Sequence, residues 1–318
     1  MPLGNGSEAW GQGKVTTPCL IYPMNFLRCL TSRASFDCFS AMPFPMRTVL
    51  SMIALVGFSH PAPGADLFAD KNLEAAVRLQ VLAKRNGKEP LTAADVSKVS
   101  EVKASGKGIV NLKGLEACKE LASLELPGNA IEDLSPLRNL GRLQLLDLSD
   151  NKVQNAAPLR LLHALQYLNL ERNRIQNLGP LAGLSNLRSL YLTGNRLKDV
   201  RPLGKLTKLW SLYLGNNQLE DVSALRAMTG LVHLGLEGNR IEDLSPLAKM
   251  DHLGMLFLQN NRIEDLNVLA KAVKHDAEGP RRFGPFLQVF LKGNPVGPED
   301  PQVKELTKWA RKVDFSYE

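Results

Sequence analysis

From Leu121 onward the chain repeats one pattern every twenty-two residues. Units begin at Leu121, Leu143, Leu165, Leu187, Leu209, Leu231 and Leu253, and each reads close to L-x-x-L-x-L-x-x-N-x-I/L/V-x-D/N-L/V-x-P-L-x-x-L. A fixed period of this length marks stacked supersecondary units, so the chain length of 318 residues does not translate into a count of ordinary domains. Apolar residues at unit positions 4 and 6 alternate as in a short strand with one buried face. The later apolar positions must turn inward from an irregular or tight-helical return segment. Each buried leucine contributes about 1.5 to 3 kcal/mol, but a single unit cannot hide its own apolar face, so neighbours must stack.

The register extends beyond the perfect copies. A degenerate unit starts at Val99, with Val102, Ile109, Leu112, Leu115 and Cys118 on the apolar columns. After Leu253 the next unit starts at Phe286, so extra chain is inserted near residues 270–285. About nine strands are predicted within residues 99–297. Asn129, Asn151, Asn173, Asn195, Asn217, Asn239, Asn261 and Asn294 fall where the chain leaves each strand. An amide there offers donors and an acceptor to backbone groups that the turn would bury unpaired. Asp133, Asp199, Asp221, Asp243 and Asp265, with Asn155 and Asn177, are expected to hydrogen-bond in the return turn. The prolines at 136, 158, 180, 202 and 246 fit the start of a short helical turn.

These columns resemble the leucine-rich repeats of the bacterial internalins and of the leucine-rich-repeat phosphatase regulators. The resemblance implies an α/β fold: a right-handed leucine-rich-repeat solenoid, or horseshoe, with a parallel concave sheet. It also implies a helical N-terminal cap over residues 66–98, where Leu73, Ala76, Val77 and Val81 have helical spacing and Thr92 is a capping candidate. A C-terminal cap over 298–318 is expected around a helix presenting Val303, Leu306 and Trp309 on one face.

Before the repeats, "MRTVLSMIALVGFSHPAPGAD" has a basic start, an apolar run and small residues, the plan of a secretory signal peptide over residues 46–65. Residues 1–45 are then a non-native or disordered extension, with translation starting at Met24, Met42 or Met46. The run is too short for a stable membrane anchor. Cys19, Cys29 and Cys38 precede the mature chain, which keeps Cys118 as a core thiol. The expected product is a monomer, secreted or periplasmic.

In a stacked solenoid, positions 3 and 5 project onto the concave face. Its early end carries Glu125 and Asp147 on adjacent strands, with Asp150 and Glu171 near the strand exits, and like charges there call for a compensating group. Its later end carries Tyr167, Tyr191, Tyr213, Phe257 and Phe290, with Trp210 near the rim and His233 among them. Large rigid rings on an exposed face are typical of interface hot spots. All nine are taken as partner-binding residues. A row at position 10, Lys152, Arg174, Arg196, Arg240 and Arg262, lies near Glu220, Glu242 and Glu264 and reads as local ion pairing.

The formal charge of +7 does not form a single-sign patch, because basic residues alternate with "ED" and "KD" pairs, and nucleic-acid binding is not expected. No H-E-x-x-H, G-x-S-x-G, phosphate-loop or zinc-spaced cysteine motif occurs in the repeats, so no catalysis, metal or cofactor is predicted. The reading is a noncatalytic, exported scaffold that binds a protein partner through its concave face. Two alternatives stand beside it: an intracellular adaptor or phosphatase-type regulator, and a binder of glycans or envelope polymers.

Overall fold

The computed structural model describes residues 66–316. The expected signal peptide and the segment before it lie outside the described residues. Ten parallel strands form one sheet in strict sequence order: β1 (Glu101–Lys103), β2 (Ser123–Glu125), β3 (Leu145–Asp147), β4 (Tyr167–Asn169), β5 (Ser189–Tyr191), β6 (Ser211–Tyr213), β7 (His233–Gly235), β8 (Met255–Phe257), β9 (Gln288–Phe290) and β10 (Lys312–Asp314). Residues one repeat apart pair directly, as in Leu190 with Leu212, so the register found in the sequence is the register of the sheet. The fold is the α/β leucine-rich-repeat solenoid that the resemblance implies.

Each strand is only three residues long, and its middle residue points inward. Leu124, Leu146, Leu168, Leu190, Leu212, Leu234 and Leu256 are all fully buried. Short 3₁₀ turns such as Ser135–Leu137 and Arg201–Lys205 return the chain, usually with proline near their start. The Asp and Asn column caps these turns: Asp199 Oδ1 accepts from Arg201 N at 2.8 Å, and Asn177 Oδ1 from Gly179 N at 2.8 Å. Parallel strands, one-residue-wide leucine columns and tight returns together make a single continuous core.

The asparagine column fastens one unit to the next. Asn195 donates from Nδ2 to the carbonyls of Leu192 and Leu170, both at 2.9 Å, while its Oδ1 accepts from Ile175 N at 2.9 Å. The same exchange recurs at Asn151, Asn173, Asn239 and Asn261, all at most 7% exposed. One position earlier every turn passes through left-handed backbone, with φ of 71° at Gly194, 51° at Asn216 and 48° at Arg172. Glycine and asparagine enter this region at little cost. Arg172 is held there while its guanidinium pairs with the Asp150 carboxylate.

Two helices close the first end. In α1 (Lys71–Arg78) the Asp70 carboxylate caps Asn72 N and Leu73 N, and its second oxygen accepts from Val110 N at 2.8 Å, joining the cap to the first unit. Thr92 and Asp95 form a reciprocal capping box on α2 (Ala93–Val96). The insertion after Leu253 is a helix, α3 (Asn267–Glu278), which replaces a 3₁₀ turn and packs on α4 (Pro301–Trp309). Val303 and Leu306 of α4 are buried, as its spacing predicts. The sequence reading stopped at nine strands, but β10 follows α4 and pairs in parallel with β9. Cys118 lies in the core, where burial pushes its thiol up to about 12.

Candidate functional site

Strand residues on either side of the buried leucine project outward, so the sheet presents two rows of side chains, and the residue two past the strand centre's outer neighbour adds a third. The aromatic row is continuous in space. Tyr167 and Tyr191 have ring centroids 5.2 Å apart, and Tyr191 and Tyr213 stack at 5.1 Å with planes 6° from parallel. Tyr213 then reaches Phe257 at 6.3 Å, and Phe257 stacks on Phe290 at 4.8 Å. Gly235 makes the step from Tyr213 to Phe257 possible. A Cβ on Gly235 would lie 2.7 Å from Tyr213 Cδ1, so the ring occupies the space that any other residue would fill.

The two ends of this row differ from the expectation in informative ways. Phe290, expected from its column to be an exposed ring, is only 6% exposed. The strand missed in the sequence explains this: β10 pairs Asp314 with Phe290, and Lys312 Nζ lies 5.7 Å from the ring centroid. Phe290 therefore backs the stack instead of offering its own face. At the other end, Glu125 is within 3.3 Å of Lys103 Nζ, which also pairs with Glu101. Asp147 accepts from Ser149 N and Oγ and, at 3.4 Å, from Asn169 Nδ2. The compensation that adjacent carboxylates call for is thus partly internal.

Burial tunes the face further. The Tyr167 phenol is pushed up to about 12, first by burial and then by the charge of Asp147, so it stays a neutral hydrogen-bonding group. Burial also raises the carboxyls of Glu171 and Glu237 above the usual carboxylate range. Trp210 is 57% exposed at the edge, with the Arg188 guanidinium 5.1 Å from its ring centroid. His233 Nδ1 is 3.2 Å from Ser211 Oγ on the neighbouring strand. Met255, beside His233 in the same row, is 36% exposed and extends the apolar surface.

Comparison with known proteins now bears on this surface. Profiles for leucine-rich repeats match residues 153–197, 185–227 and 229–271. Comparison with curated proteins finds no match. The structure of internalin C2 from Listeria monocytogenes is 35% identical, with a TM-score of 0.61, covering 65% of this chain and 91% of the internalin. The chain belongs to the internalin-like leucine-rich-repeat family. A second internalin of Listeria monocytogenes, InlF, is similar at 29% identity and a TM-score of 0.63, covering 78% of this chain and 76% of that one. A leucine-rich-repeat protein of Leptospira interrogans shares the fold at 23% identity and a TM-score of 0.56, over 65% of this chain and 57% of its own.

In this internalin-like chain part of the position-10 row is tied up in ion pairs. Arg240 pairs with Glu220 at 3.4 Å and Arg262 with Glu242 at 3.7 Å, each across one repeat, as the local ion-pair reading expects. A cavity of about 420 Å³ beside α3 is lined by Lys249, His275, Asp276 and Phe283. Burial alone would raise the Asp276 carboxyl, but backbone N–H groups of Gly284, Phe283 and Arg282 hold it below the usual range, marking it as a loop clamp. Among the described residues no group of three His, Cys, Asp or Glu side chains could hold a metal ion, and no helix is long and apolar enough to cross a membrane.

Sequence reasoning named Glu171 near a strand exit but did not see it as part of a third outward row, Glu171, Thr193, Gly215, Glu237 and Gln259, at position 7 of successive units. The signal was present, since these positions are polar or glycine in a chain whose neighbouring position 6 is always leucine. It was overlooked because position 7 lies just past the three-residue strand.

Proposed function

We propose that this internalin-like protein is an exported, noncatalytic scaffold that holds a protein partner against the aromatic half of its strand face. An internalin-like leucine-rich-repeat fold is a protein-binding scaffold, and here the outward rows carry the binding chemistry. The observation that supports this most strongly is the continuous ring row from Tyr167 through Tyr191 and Tyr213 to Phe257. Four rings held against one another lose little entropy when a partner covers them, which is the property of preorganised hot spots. Tyr191, Tyr213, Phe257, Met255, His233 and Trp210 form the contact surface, and Phe290 fixes its end. Glu125 and Asp147 orient the partner by charge, more weakly than unpaired carboxylates would. Export rests on the basic-apolar-small pattern of residues 46–65, and the mature protein acts as a monomer.

Joint replacement of Tyr191, Tyr213 and Phe257 by alanine tests the surface. A partner protein bound by the parent should be lost, with cooperative unfolding retained. Undiminished capture by the folded triple variant contradicts the assignment, and capture of a glycan in place of a protein transfers it to the polymer-binding class. Cell fractionation with terminal peptide mass spectrometry tests export: a mature start near Ala65 supports it, and an intact early segment in the cytosol overturns it.

A further inference from the structure

The third outward row holds two carboxylates that lean toward each other. Glu171 accepts a hydrogen bond from the Thr193 hydroxyl, one repeat further on. Glu237 leans the opposite way: a Cβ on Gly215, one repeat earlier, would lie 1.8 Å from its Oε1. Its Oε2 is 3.0 Å from the place a Gly235 Cβ would occupy, so the carboxylate fills space vacated by two glycines. The two acids thus converge on Thr193 and Gly215, which directly follow the stacked rings of Tyr191 and Tyr213.

Glu171 has donors of its own, with Arg172 Nη1 3.9 Å from its Oε2, but the side of the spot formed by Glu237 does not match its acceptors with donors. Glu237 Oε2 is buried and accepts no hydrogen bond, and neither does Oε1 of Gln259, the next residue in the same column. Gln259 is 4% exposed, so its carbonyl oxygen is withdrawn from solvent as well. Buried acceptors without donors are unusual and costly in a folded chain. The charge map agrees. From β2 to β8, positions 3, 5 and 7 carry Glu125, Asp147, Glu171 and Glu237 but no lysine or arginine, on a chain whose net charge is +7. An anionic stripe on a cationic protein fits a cationic partner group.

We propose that Glu171, Glu237 and the Tyr191–Tyr213 stack form a seat for a guanidinium group, the side chain of an arginine on the docked protein partner. A guanidinium supplies planar donors to both carboxylates while its face lies against a tyrosine ring. The seat rests on the partner-binding reading above and adds the chemistry of one contact.

The test uses the full chain with ¹³C-labelled glutamate carboxyls, titrated with N-acetyl-arginine methylamide, its lysine counterpart and the neutral citrulline isostere. The arginine probe should give saturable shifts at Glu171 and Glu237, with the lysine probe at least severalfold weaker and citrulline silent. Gly215→Ala places a methyl group where the Glu237 carboxylate sits, and Glu237→Gln removes its charge; each should weaken the arginine response at least tenfold. Gly215→Ala keeps the carboxylate, so it still decides the matter if Glu237→Gln fails to fold. No saturable shift at Glu237, or equal shifts with citrulline or lysine, overturns the guanidinium seat. Because no partner enters this experiment, its failure leaves the aromatic docking surface to its own test.

Discussion

Tyr191 and Tyr213 lie one repeat apart in sequence and stack with centroids 5.1 Å apart and planes 6° from parallel. The repeat places them on adjacent strands, and the rings extend the strand register outward from the core. The proposed binding surface is therefore built by the same translation that builds the fold.

Removing one ring from the middle of the row should separate stability from recognition. Tyr213→Ala loses contacts to Tyr191 and Phe257 and should lower unfolding free energy by about 0.5 to 1.5 kcal/mol beyond the loss of buried area. Partner affinity should fall by about 2 kcal/mol or more, roughly thirtyfold. Urea unfolding and partner titration of Tyr213→Ala and Tyr213→Phe check both values, with the phenylalanine variant retaining most of the stability.

The asparagine column predicts a large penalty far from any functional surface. Asn195→Ala strands the N–H of Ile175 and removes one of the two asparagine donors from each of the Leu170 and Leu192 carbonyls, which keep Asn173 and Asn217. At about 1 to 3 kcal/mol for the unpaired N–H and about 0.5 to 1.5 kcal/mol for each lost bond, the loss should exceed about 2 kcal/mol. Asp199→Ala, which removes an exposed turn cap, should cost less than about 1 kcal/mol. Comparable urea midpoints for the two variants would contradict the ladder.

Glu237 gives the pH profile its sign. Burial raises its folded pKa above the ordinary 4.5, so the folded state is favoured below that value and this advantage is lost as pH rises through the folded pKa. Asp70 and Asp276 act oppositely. Their folded pKa values lie below the ordinary 3.8, because backbone N–H bonds outweigh burial, and their contribution disappears as pH falls below that value. Glu237→Gln should flatten the decline above pH 4.5 and leave the acid limb unchanged. Parallel urea-midpoint profiles for parent and variant from acid to neutral pH would refute this.

The Cys118 thiol, fully buried and pushed up to about 12, should resist modification in the folded protein. Alkylation followed by peptide mass spectrometry should find Cys118 unmodified until denaturant is added. Rapid native labelling would show that the first unit opens readily.

The period made the stacked units legible, because every unit from Leu121 to Leu253 places the same residue type in the same column, and the resemblance carried by those columns implied the solenoid. Departures from the period hid the rest. The α3 insertion interrupts the leucine columns, and β10 lies in "RKVDF", which lacks the leucines and asparagine that mark other units. The aromatic row was visible as a column of rings, but the burial of Phe290 depends on β10 and could not be seen without it. The convergence of Glu171 and Glu237 depends on how side chains lean across Gly215, which no column of residue types encodes.

The most direct test is to place a photo-reactive benzoylphenylalanine at position 213, on the ring row, and separately at Arg226, in a return turn. If the strand face binds a protein, irradiation in the native setting should cross-link position 213 to peptides of one partner, and position 226 should not. Cross-links to that partner from position 226 alone, or none from position 213 while binding persists, would contradict the account.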